Sequence, residues 1–379
     1  MLTLKKLKFL SVAPILVILG FYYVTMSKSK EPPKEIIFVA NSETMGNGID
    51  ASTMDYFLGK QYPQLSLVIS HLTQNAQKIK VVDWQDENID WATDKKVILG
   101  TVWGYTKNIN KFVSWLDLME KKNIDMINHP KFLKWNVNKK YLLELSQKNI
   151  EIPDTLIFDA ESISSFDEAK DQFYKKFGHS DIVIKGVIDA GGFGYMHVTP
   201  EKLAAAKNHF DDLKMHNQGA IVQGFTSQVY KKGEFSFVFF DDRISHFFLK
   251  VPKYNEDRVQ QFYGGKSFHF KNSRISEQIS YIKSTFRSDL ELTEDDVKNS
   301  YSQAELVYAK LLNLLNDLNI PHPKYLRIDG VAIKSKFVVM EIEGIEPYLD
   351  INEAMNNDPS NNILVNYVKS MVGEYGLSR

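Results

Sequence analysis

The sequence predicts an α/β protein of several domains that begins with a membrane-spanning helix. Three patterns support this prediction. Residues 9–26 form a continuous apolar segment between lysines. Apolar runs such as Ile36–Ala40 then alternate with helical stretches such as Asn110–Lys122, and two β-hairpins follow towards the end of the chain. At roughly 100–200 residues per domain, the 379 residues are enough for two or three domains.

The composition excludes several classes of protein. Lys and Arg number 46 against 47 Asp and Glu, so the net charge is -1 and basic residues are scattered among acidic ones. We therefore expect no nucleic-acid partner, because proteins that bind nucleic acid concentrate positive charge. The absence of cysteine excludes disulfides, thiolate metal sites and cysteine nucleophiles. Neither observation determines the oligomeric state.

Residues 9–26 read FLSVAPILVILGFYYVTM and are long enough to span a membrane. About 18 to 20 apolar residues cross the hydrocarbon core of a bilayer. No small-residue cleavage site follows, so we favour an uncleaved single-pass anchor over a cleaved signal peptide or a buried helix. Residues 1–34 are thus predicted to be a membrane anchor with a short polar linker. Three lysines lie on each side of the apolar segment, so they leave its orientation undecided.

Residues 35–128 are predicted to form a small α/β domain. Its first strand, Ile36–Ala40, is apolar throughout, which is typical of a parallel strand that is buried on both faces. Further strands are predicted at Lys80–Trp84 and Lys96–Thr101, and helices at Thr53–Gln77 and Asn110–Lys122.

Residues 129–226 form the next predicted unit. Its predicted elements are the helices Trp135–Gln147 and Phe166–Phe177 and the strands Thr155–Phe158, Asp181–Lys185 and Ala220–Phe225. Gly191, Gly192 and Gly194 lie between two strand-like runs, which argues against a Rossmann fingerprint, and their spacing is not that of a Walker A motif. The tip of a glycine-rich hairpin can place backbone N–H groups around phosphate oxygens. The alternative is a purely structural turn.

Lys185 ends an apolar strand just before that glycine-rich loop. A buried lysine is costly unless an anion pairs with it, so its position indicates an anion-binding site. The alternative is a lysine at a strand end whose amine reaches solvent.

Residues 227–379 are predicted to contain two hairpins, of which the second carries a set of charged residues. Arg327 and Asp329 lie on its first strand, and Glu341 and Glu343 lie on its second. Residues two apart in a strand face the same side. Three carboxylates on one face repel each other unless cations lie between them, and oxygen ligands of this kind suit Mg²⁺. The alternative is a solvated strand face with compensating lysines.

These features occur in an order that resembles the ATP-grasp superfamily of carboxylate–amine ligases. The order is Lys139, Lys185 before the glycine-rich loop, VQGF, RIDG and MEIEGIEPYL, and the resemblance covers about Trp84 to Tyr348. The segments WNVNKKYLLEL, KGEFSFVFFDDRISHFFLK and DRVQQFYGG are similar to the bacterial glutathione-synthetase-like branch, which includes the ligase that closes the cycloserine ring.

The resemblance implies an ATP-grasp fold and an ATP-dependent ligase activity. Residues 35–128 would be the α/β domain that precedes the grasp, and residues 129–226 would be the central lobe with a glycine-rich flap. Residues 227–379 would be the C-terminal lobe with the metal site. A carboxylate would be activated as an acylphosphate and joined to an amine, so small-molecule acids and amines would be the substrates. Because ATP is cytosolic, the resemblance places the catalytic domain of this membrane-anchored chain in the cytosol.

The resemblance also assigns roles to individual residues. Residues that would bind ATP through its phosphates, under the flap or beside the adenine are Lys139, Lys185, Gly191, Gly192, Gly194, Gln223, Phe225 and Glu234. Residues that would hold one or two Mg²⁺, with Mn²⁺ as an alternative, are Asp329, Glu341 and Glu343. Arg327 would stabilise the transferring phosphoryl group, and the residues that would line the substrate pocket are His246, Lys250 and Arg258.

The chain departs from the family pattern at three places. Gly186 replaces a common proline, Glu343 replaces a common asparagine, and Ile275–Lys298 is an additional charged stretch that we expect to be a solvated helical excursion or a pocket cap. Two other functions therefore stay open: a membrane-tethered nucleotide-binding protein without ligase activity, and an ATP-dependent small-molecule kinase.

Overall fold

The computed structural model describes residues 35–40, 68–72, 78–102, 104–161, 165–192, 194–216, 219–271, 274–358 and 362–372. Glu35–Arg379 forms one compact unit. The predicted anchor at residues 1–34 lies outside the described residues, and the predicted helix at Thr53–Gln77 is described only at residues 68–72, which are helical. In the described part of the chain, no helix combines the length and the apolar character that crossing a bilayer requires.

The first sheet is parallel, as its apolar first strand predicts. Its strands are β1 (Glu35–Ala40), β2 (Ile79–Asp83), β3 (Lys95–Thr101) and β4 (Asp125–Met126). They pair in the order β2-β1-β3-β4. Helix α1 (Ile109–Lys121) packs on this sheet through Phe112 and Trp115, whose rings contact Trp84 and Trp91.

The predicted single helix over Trp135–Gln147 is wrong. The chain instead forms two helices, α2 (Pro130–Val137) and α3 (Tyr141–Gln147). The helix ends because Asn138 adopts an extended conformation, with φ −104° and ψ 114°. The backbone N–H of Lys139 then donates to the carbonyl of Val187 at 2.9 Å. Because of this break, Lys139 lies between the two helices and belongs to neither.

The second sheet is antiparallel and carries the glycine-rich loop. Its strands are β5 (Thr155–Asp159), β6 (Ile182–Gly186), β7 (Met196–Val198) and β8 (Gly219–Gly224), in the order β5-β8-β6-β7. Helices α4 (Phe166–Phe177) and α5 (Leu203–His216) pack on it through Phe166, Phe173 and Phe210. The hairpin of β6 and β7 that the glycine spacing predicts is confirmed.

The third sheet is also antiparallel and follows a short helix, α6 (Gln228–Lys232). Its strands are β9 (Glu234–Phe240), β10 (Arg243–Val251), β11 (Lys266–His269), β12 (Tyr325–Ile333) and β13 (Lys336–Glu343), in the order β11-β10-β9-β12-β13. Both predicted hairpins, β9 with β10 and β12 with β13, are confirmed.

Helices cover both faces of the third sheet. They are α7 (Ile275–Thr285), α8 (Glu294–Asp317), α9 (Ile351–Asn357) and α10 (Ile363–Val372). Phe237 of β9 belongs to the same core cluster as α8, and its neighbour Val238 belongs to the cluster that contains α10. Adjacent residues of a strand point to opposite faces, so a strand buried on both faces is apolar throughout.

The stretch Ile275–Lys298 is not a solvated excursion. Ile279, Ile282 and Leu292 are buried in the main core, and Arg287 is fully buried. Its guanidinium donates to the carbonyl of Pro252 at 2.9 Å and lies over the ring of Tyr230, 4.1 Å from the ring centroid. The many charged residues of this stretch made it look solvated in the sequence, although its apolar residues recur at helical spacing and are buried. No element was predicted for most of α8, although a capping box at Thr293 and Asp296 starts it.

The three sheets fall within the predicted ranges 35–128, 129–226 and 227–379. The division into three domains stays a prediction, because the described residues from Glu35 onwards form one compact unit.

Candidate functional site

A cleft lies between the second and third sheets. Lys185 and Gln223 line it from the second sheet, and Glu234 and Glu341 line it from the third. It encloses about 110 Å³. Ligand sites in proteins are typically about 300–1,000 Å³, so the cleft must widen to accept a molecule of nucleotide size.

Lys139 reaches the cleft because of the break between α2 and α3. Its Nζ donates to the carbonyl of Asp189 at 2.9 Å and forms an ion pair with Glu341. Burial lowers the pKa of Lys139, but Glu341 and Asp189 outweigh burial and the pKa is raised. Lys139 is therefore charged, and it holds β13 against the glycine-rich loop.

Lys185 lines the same cleft, and its pKa is lower than that of an ordinary lysine. Burial, and then the positive charge of Lys139, lower its pKa to about 8, against the attraction of Glu341. Lys185 is only partly buried, so the alternative of a lysine whose amine reaches solvent stays open. A bound polyanion would favour its charged form.

The glycine-rich loop is closed by Asp189. Its carboxylate accepts from the N–H groups of Ala190 at 2.8 Å and Gly194 at 3.0 Å. Gly191 and Gly192 have φ angles of 66° and 71°, which a side chain rarely tolerates. Gly191 and Gly192 line the cleft, as a flap over a ligand requires.

Two amide oxygens in the cleft lack hydrogen-bond donors among the described residues. Gln223 is fully buried, and its Nε2 donates to Thr155 at 2.8 Å, but its Oε1 has no partner. The Oε1 of Gln260 also has none. A buried acceptor without a donor costs about 1–3 kcal/mol. These oxygens therefore fit a ligand that carries N–H donors, as adenine does, and Phe225 beside them offers an aromatic face.

The charged residues of β12 and β13 meet as predicted. Arg327 pairs with Glu343 across the two strands, and Asp329 pairs with Glu341. The cations between the carboxylates include Arg327, Lys250 and Lys139 of the chain itself, as the alternative of compensating lysines expected in part. Arg327 donates to both oxygens of Asp329 at 2.8 Å, and Lys250 donates to the same carboxylate at 2.8 Å.

The charge balance is uneven along this face. Burial raises the pKa of Asp329, but Arg327 and Lys250 outweigh burial, so the pKa is lowered. Burial raises the pKa of Glu343 to about 7, because repulsion from Glu341 and Asp329 adds to burial and opposes the attraction of Arg327. Of Asp329, Glu341 and Glu343, Glu343 is therefore the carboxylate whose charge is least compensated, although Arg327 pairs with it.

Side chains from the first helices hold the end of β13 in place. The amide of Asn136 donates to the carbonyl of Ile342 and accepts from the N–H of Gly344, both at 2.8 Å. The hydroxyl of Tyr141 accepts from the N–H of Ile342 at 2.9 Å. These contacts fix the backbone on either side of Glu343.

The carboxylates fit Mg²⁺ only in part. In the described part of the chain, no three Asp, Glu or His side chains are arranged to hold a metal by themselves. Both oxygens of Asp329 accept from side chains of the chain, whereas Glu341 and Glu343 each have about a third of the side chain exposed, at 32% and 31%. This suits Mg²⁺, which commonly binds one or two carboxylates together with phosphate oxygens.

The predicted substrate residues lie in different environments. Lys250 bridges Glu234 at 2.5 Å and Asp329, within the charged face. Arg258 lines the cleft and donates to Glu256 at 2.8 Å. His246 does not line the cleft: its ring nitrogens contact the carbonyl of Leu349 and the hydroxyl of Ser245. Burial lowers the pKa of His246 to about 4, so its ring is neutral at pH 7. Its predicted place in the substrate pocket stays a prediction.

Sequence reasoning missed four residues near the site. They are Tyr105, Asp189, Ser236 and Glu346. Asp189 directly precedes the glycines, and Glu346 is the third acid of the EIEGIE run, so both were visible as acids next to predicted motifs. Ser236 and Tyr105 carried no local signal, because only the folded chain brings them to the carboxylates.

Comparisons with known proteins agree with this architecture. The family model for the N-terminal domain of D-cycloserine synthetase DcsG matches residues 51–128. No curated protein sequence matches the chain. The solved structure of D-cycloserine synthetase DcsG is similar with a TM-score of 0.67 at 16% identity, covering 90% of this chain and 99% of that chain.

Two further solved structures are similar over the same extent. The D-alanine–D-alanine ligase of Bacillus anthracis complexed with ATP has a TM-score of 0.55 at 12% identity, covering 90% of this chain and 98% of that chain. The RimK domain ATP-grasp protein of Sphaerobacter thermophilus has a TM-score of 0.52 at 9% identity, covering 89% of this chain and all (100%) of that chain. Similarity at these identities is similarity of fold. The chain therefore has the fold of these structures, the ATP-grasp fold, and its residues 51–128 are similar to the N-terminal domain of D-cycloserine synthetase DcsG.

Proposed function

We propose that the chain is an ADP-forming, ATP-dependent carbon–nitrogen ligase. It would activate a small-molecule carboxylate as an acylphosphate and join the acyl group to an amine. The observation that supports this most directly is the cleft that Lys139, Lys185 and Glu341 line on an ATP-grasp fold. Arg327, Asp329 and Glu343 lie beside it on the hairpin of β12 and β13, which also carries Glu341. Similar structures carry the names D-cycloserine synthetase and D-alanine–D-alanine ligase.

ATP would lie between the two antiparallel sheets. Lys139 and Lys185 would bind the phosphates, and the backbone N–H groups of Gly191, Gly192 and Gly194 would cover them. Gln223 and Phe225 would flank the adenine, and Glu234 at the start of β9 would hold the nucleotide or the acceptor. Transfer of a phosphoryl group to a carboxylate brings negative oxygens together, so positioning and charge neutralisation supply most of the catalysis.

Glu341 and Glu343, with Asp329 behind them, would hold one or two Mg²⁺, or Mn²⁺. The metal would neutralise the phosphate oxygens when it is bound. Until then the ion pair with Lys139 holds Glu341 in position, and Arg327 holds Glu343 through a contact of 2.7 Å. In the ligand complex, Lys139 would exchange part of its contact with Glu341 for phosphate oxygens.

Arg327 is the residue best placed to stabilise the transferring phosphoryl group. Asp329 binds two of its nitrogens, and the carbonyl of Tyr348 accepts from its Nη1 at 2.7 Å. A guanidinium held on several sides is already oriented before the substrate binds, so it needs little reorganisation during the reaction. Lys250 and Arg258 would position the substrates.

A pool of amino acids and small carboxylic acids, incubated with the full chain, ATP and Mg²⁺, tests the proposal. Mass spectrometry should detect an amide product together with ADP. ADP release that requires both an acid and an amine supports a ligase. A phosphorylated compound without an amide would indicate a kinase. Nucleotide binding without turnover would support the tethered nucleotide-binding protein, which the internal ion pairs of the carboxylates also permit.

Residues 9–26 would anchor the ligase in a membrane with a single pass. The catalytic part would face the cytosol, where ATP is abundant, so the N-terminus would face outwards. This proposal rests on the apolar sequence and on the need for ATP, since the flanking lysines are equal in number on both sides.

Asp329→Asn and Glu341→Gln should each abolish turnover while leaving the fold intact. Asp329 orients Arg327 and Lys250, and Glu341 is both a proposed metal ligand and the partner of Lys139. Rates of ADP release at several Mg²⁺ concentrations, with circular dichroism as a folding control, provide the measurement. Activity near that of the wild type at moderate Mg²⁺ would contradict the metal assignment.

Lys185→Ala should weaken the binding of a non-hydrolysable ATP analogue by about ten- to a hundredfold, since a charge-assisted contact contributes about 1.5–3 kcal/mol. Affinity of the wild type should also fall as pH rises from about 7 to 9, because the free lysine loses its proton with a pKa of about 8. Lys185→Arg stays charged and should flatten this profile. Lys202→Ala, an exposed lysine of the same lobe, is the matched control. Unchanged affinity in Lys185→Ala would make Lys185 a structural residue.

The metal-free protein should become less stable as pH rises through about 5 to 7. The pKa of Glu343 is raised on folding, so its ionisation disfavours the folded state, and stability present at low pH is lost as the group ionises. Glu343→Gln should remove this loss, whereas Glu305→Gln, an exposed glutamate of α8, should not. Urea unfolding in EDTA across this range measures it. An unchanged pH profile in Glu343→Gln would show that its charge is compensated.

Protease added to intact cells that express the full chain should leave the catalytic part uncut. Permeabilised cells provide the control, in which the same protease must digest it. Immunoblotting against the C-terminal residues gives the result. Digestion of the whole catalytic part from outside would contradict either the cytosolic placement or the ligase function.

A further inference from the structure

A second and larger cavity lies along the third sheet. It is a groove of about 1030 Å³, whereas the cleft encloses about 110 Å³. Its lining comes from β11, from α7, and from Tyr348, Asp350 and α9. None of the residues assigned above to ATP, to the metal or to the substrates lines it. The groove is therefore a cavity that the proposed ligase chemistry does not use.

Strand β11 leaves its outer edge open to this groove. It is the last strand of the third sheet, and among the described strands it pairs only with β10. All four of its residues line the groove, although neighbouring side chains of a strand point to opposite faces. The groove therefore runs along the edge of the strand and exposes its backbone as well as its side chains.

An amide group already occupies one end of this edge. Gln278 of α7 lines the groove, and its Nε2 donates to the carbonyl of His269 at 2.7 Å. Its Oε1 accepts from the backbone N–H of Lys271 at 2.8 Å. A peptide group of an added strand can bond in the same way, to the carbonyl of one residue and to the N–H two positions further on. The carbonyl of His269 therefore points away from β10, towards α7.

The next backbone groups along the edge are those of Ser267. Peptide groups of alternate residues in a strand point to the same side, so the N–H and carbonyl of Ser267 also point away from β10. No described residue forms a backbone hydrogen bond with them from outside the sheet. A free edge is a template for pairing with another chain, and the addition of a strand is a common mode of peptide recognition. The four residues of β11 span about 13 Å, which is enough to pair with a segment of similar length.

The charges around this edge favour an acidic occupant. Glu277 and Asp350, two of the three acidic residues that line the groove, each contact a basic residue of its lining. Among the described residues, Lys266 and Lys271 have no carboxylate partner, and Glu353 has no basic partner. Lys266 lies on the strand itself, and Lys271 lies two residues beyond it. Two unpaired cations therefore lie along the edge, against one unpaired acid on α9.

The groove lies next to the reaction centre but outside the cleft. Ser267 pairs with Lys250 of β10, and the carbonyl of Tyr348 accepts from Arg327. Gln260 lines the cleft, and its neighbour Gln261 lines the groove. An occupant of the groove would therefore lie beside the reacting groups without filling the cleft.

We propose that the groove along β11 binds an extended, acidic segment of a partner protein as an added strand. A peptide group of that segment would bond to the backbone groups of Ser267 and continue the row that the amide of Gln278 begins. Its carboxylates would pair with Lys266 and Lys271, and its apolar side chains would pack on the exposed ring of Tyr281. The inference goes beyond the proposed function and does not depend on it, because it rests on the groove alone.

The test measures the binding of synthetic peptides to the full chain by fluorescence anisotropy. The main probe is a labelled hexapeptide of alternating glutamate and valine, blocked at both ends, and its counterpart carries lysine in place of glutamate. Two further probes carry N-methyl groups on the alternate amides of one edge or of the other edge. Each of these can therefore form a full row of hydrogen bonds along one edge only.

We expect the wild type to bind the glutamate peptide at least about fivefold more tightly than the lysine peptide at low salt, since two exposed ion pairs are formed or lost. One N-methylated peptide should bind like the unmodified glutamate peptide. The other should bind more than about tenfold more weakly, because it loses several backbone hydrogen bonds to β11.

Three variants locate the site on the chain. Lys266→Gln and Lys271→Gln should each weaken binding of the glutamate peptide by about twofold to fivefold, whereas Lys202→Gln, an exposed lysine far along the chain, should not. Ser267→Pro removes an N–H that faces away from β10, so it should leave the sheet paired and weaken binding by about threefold to tenfold. Circular dichroism provides the folding control, and the lysine variants and N-methylated probes decide the question if Ser267→Pro does not fold.

Several results would overturn the inference. The glutamate peptide would fail to bind at millimolar concentration, or both N-methylated peptides would bind equally well, which excludes an added strand. Equal effects of Lys266→Gln, Lys271→Gln and Lys202→Gln would remove the groove from the binding site. Sedimentation of a wild-type dimer that Ser267→Pro converts to a monomer would show that a second copy of the chain occupies the edge instead. The rate of ADP release is measured separately, so a chain without ligase activity still gives a result for the groove.

Discussion

The neutralisation of buried carboxylates by residues from distant parts of the chain is the constraint on which the site depends. Asp329 and Glu341 occupy neighbouring positions on β12 and β13 and would repel each other if left alone. Lys250 of β10 and Lys139, which follows α2, bring positive charge to them. The segment that carries Lys139 must therefore lie against the third sheet for the charges to balance, and its backbone bond to Val187 also ties it to the end of β6 in the second sheet.

This arrangement links the positions of otherwise separate elements. The break after α2 exists because Lys139 bonds through its backbone to Val187, and the same residue then bonds through its side chain to the loop and to β13. Asn136, on the last turn of α2, binds the backbone next to Glu343. A single short stretch of chain thus sets both the register of β13 and the charge opposite it.

The distribution of charge also explains which ligands the site can accept. Lys139 and Lys185 lie next to the glycine-rich loop, where the pKa of Lys185 is lowered to about 8, and the pKa of Glu343 at the end of β13 is raised to about 7. An anionic ligand stabilises the first group and cations stabilise the second. A nucleotide together with its metal would satisfy both groups, and that is the combination that the proposed function brings to the cleft.

The sequence by itself determined the elements whose signals are local. Continuous apolar runs predicted the parallel strand β1 and the central strands of the third sheet. Alternation placed Asp329 and Glu341 on one face of a hairpin, and the order of motifs predicted the ATP-grasp fold. These predictions succeeded because side-chain period and turn chemistry are properties of neighbouring residues.

Only the tertiary structure decided the partners of the charged residues. Lys139 and Glu341 are about two hundred residues apart, and no local pattern indicates that they form an ion pair. The break at Asn138, the burial of Arg287 and the position of the His246 ring each depend on a carbonyl supplied by a distant segment. The unpaired Oε1 of Gln223 belongs to the same class, because whether a buried polar group has a hydrogen-bond partner among the described residues depends on every element packed around it.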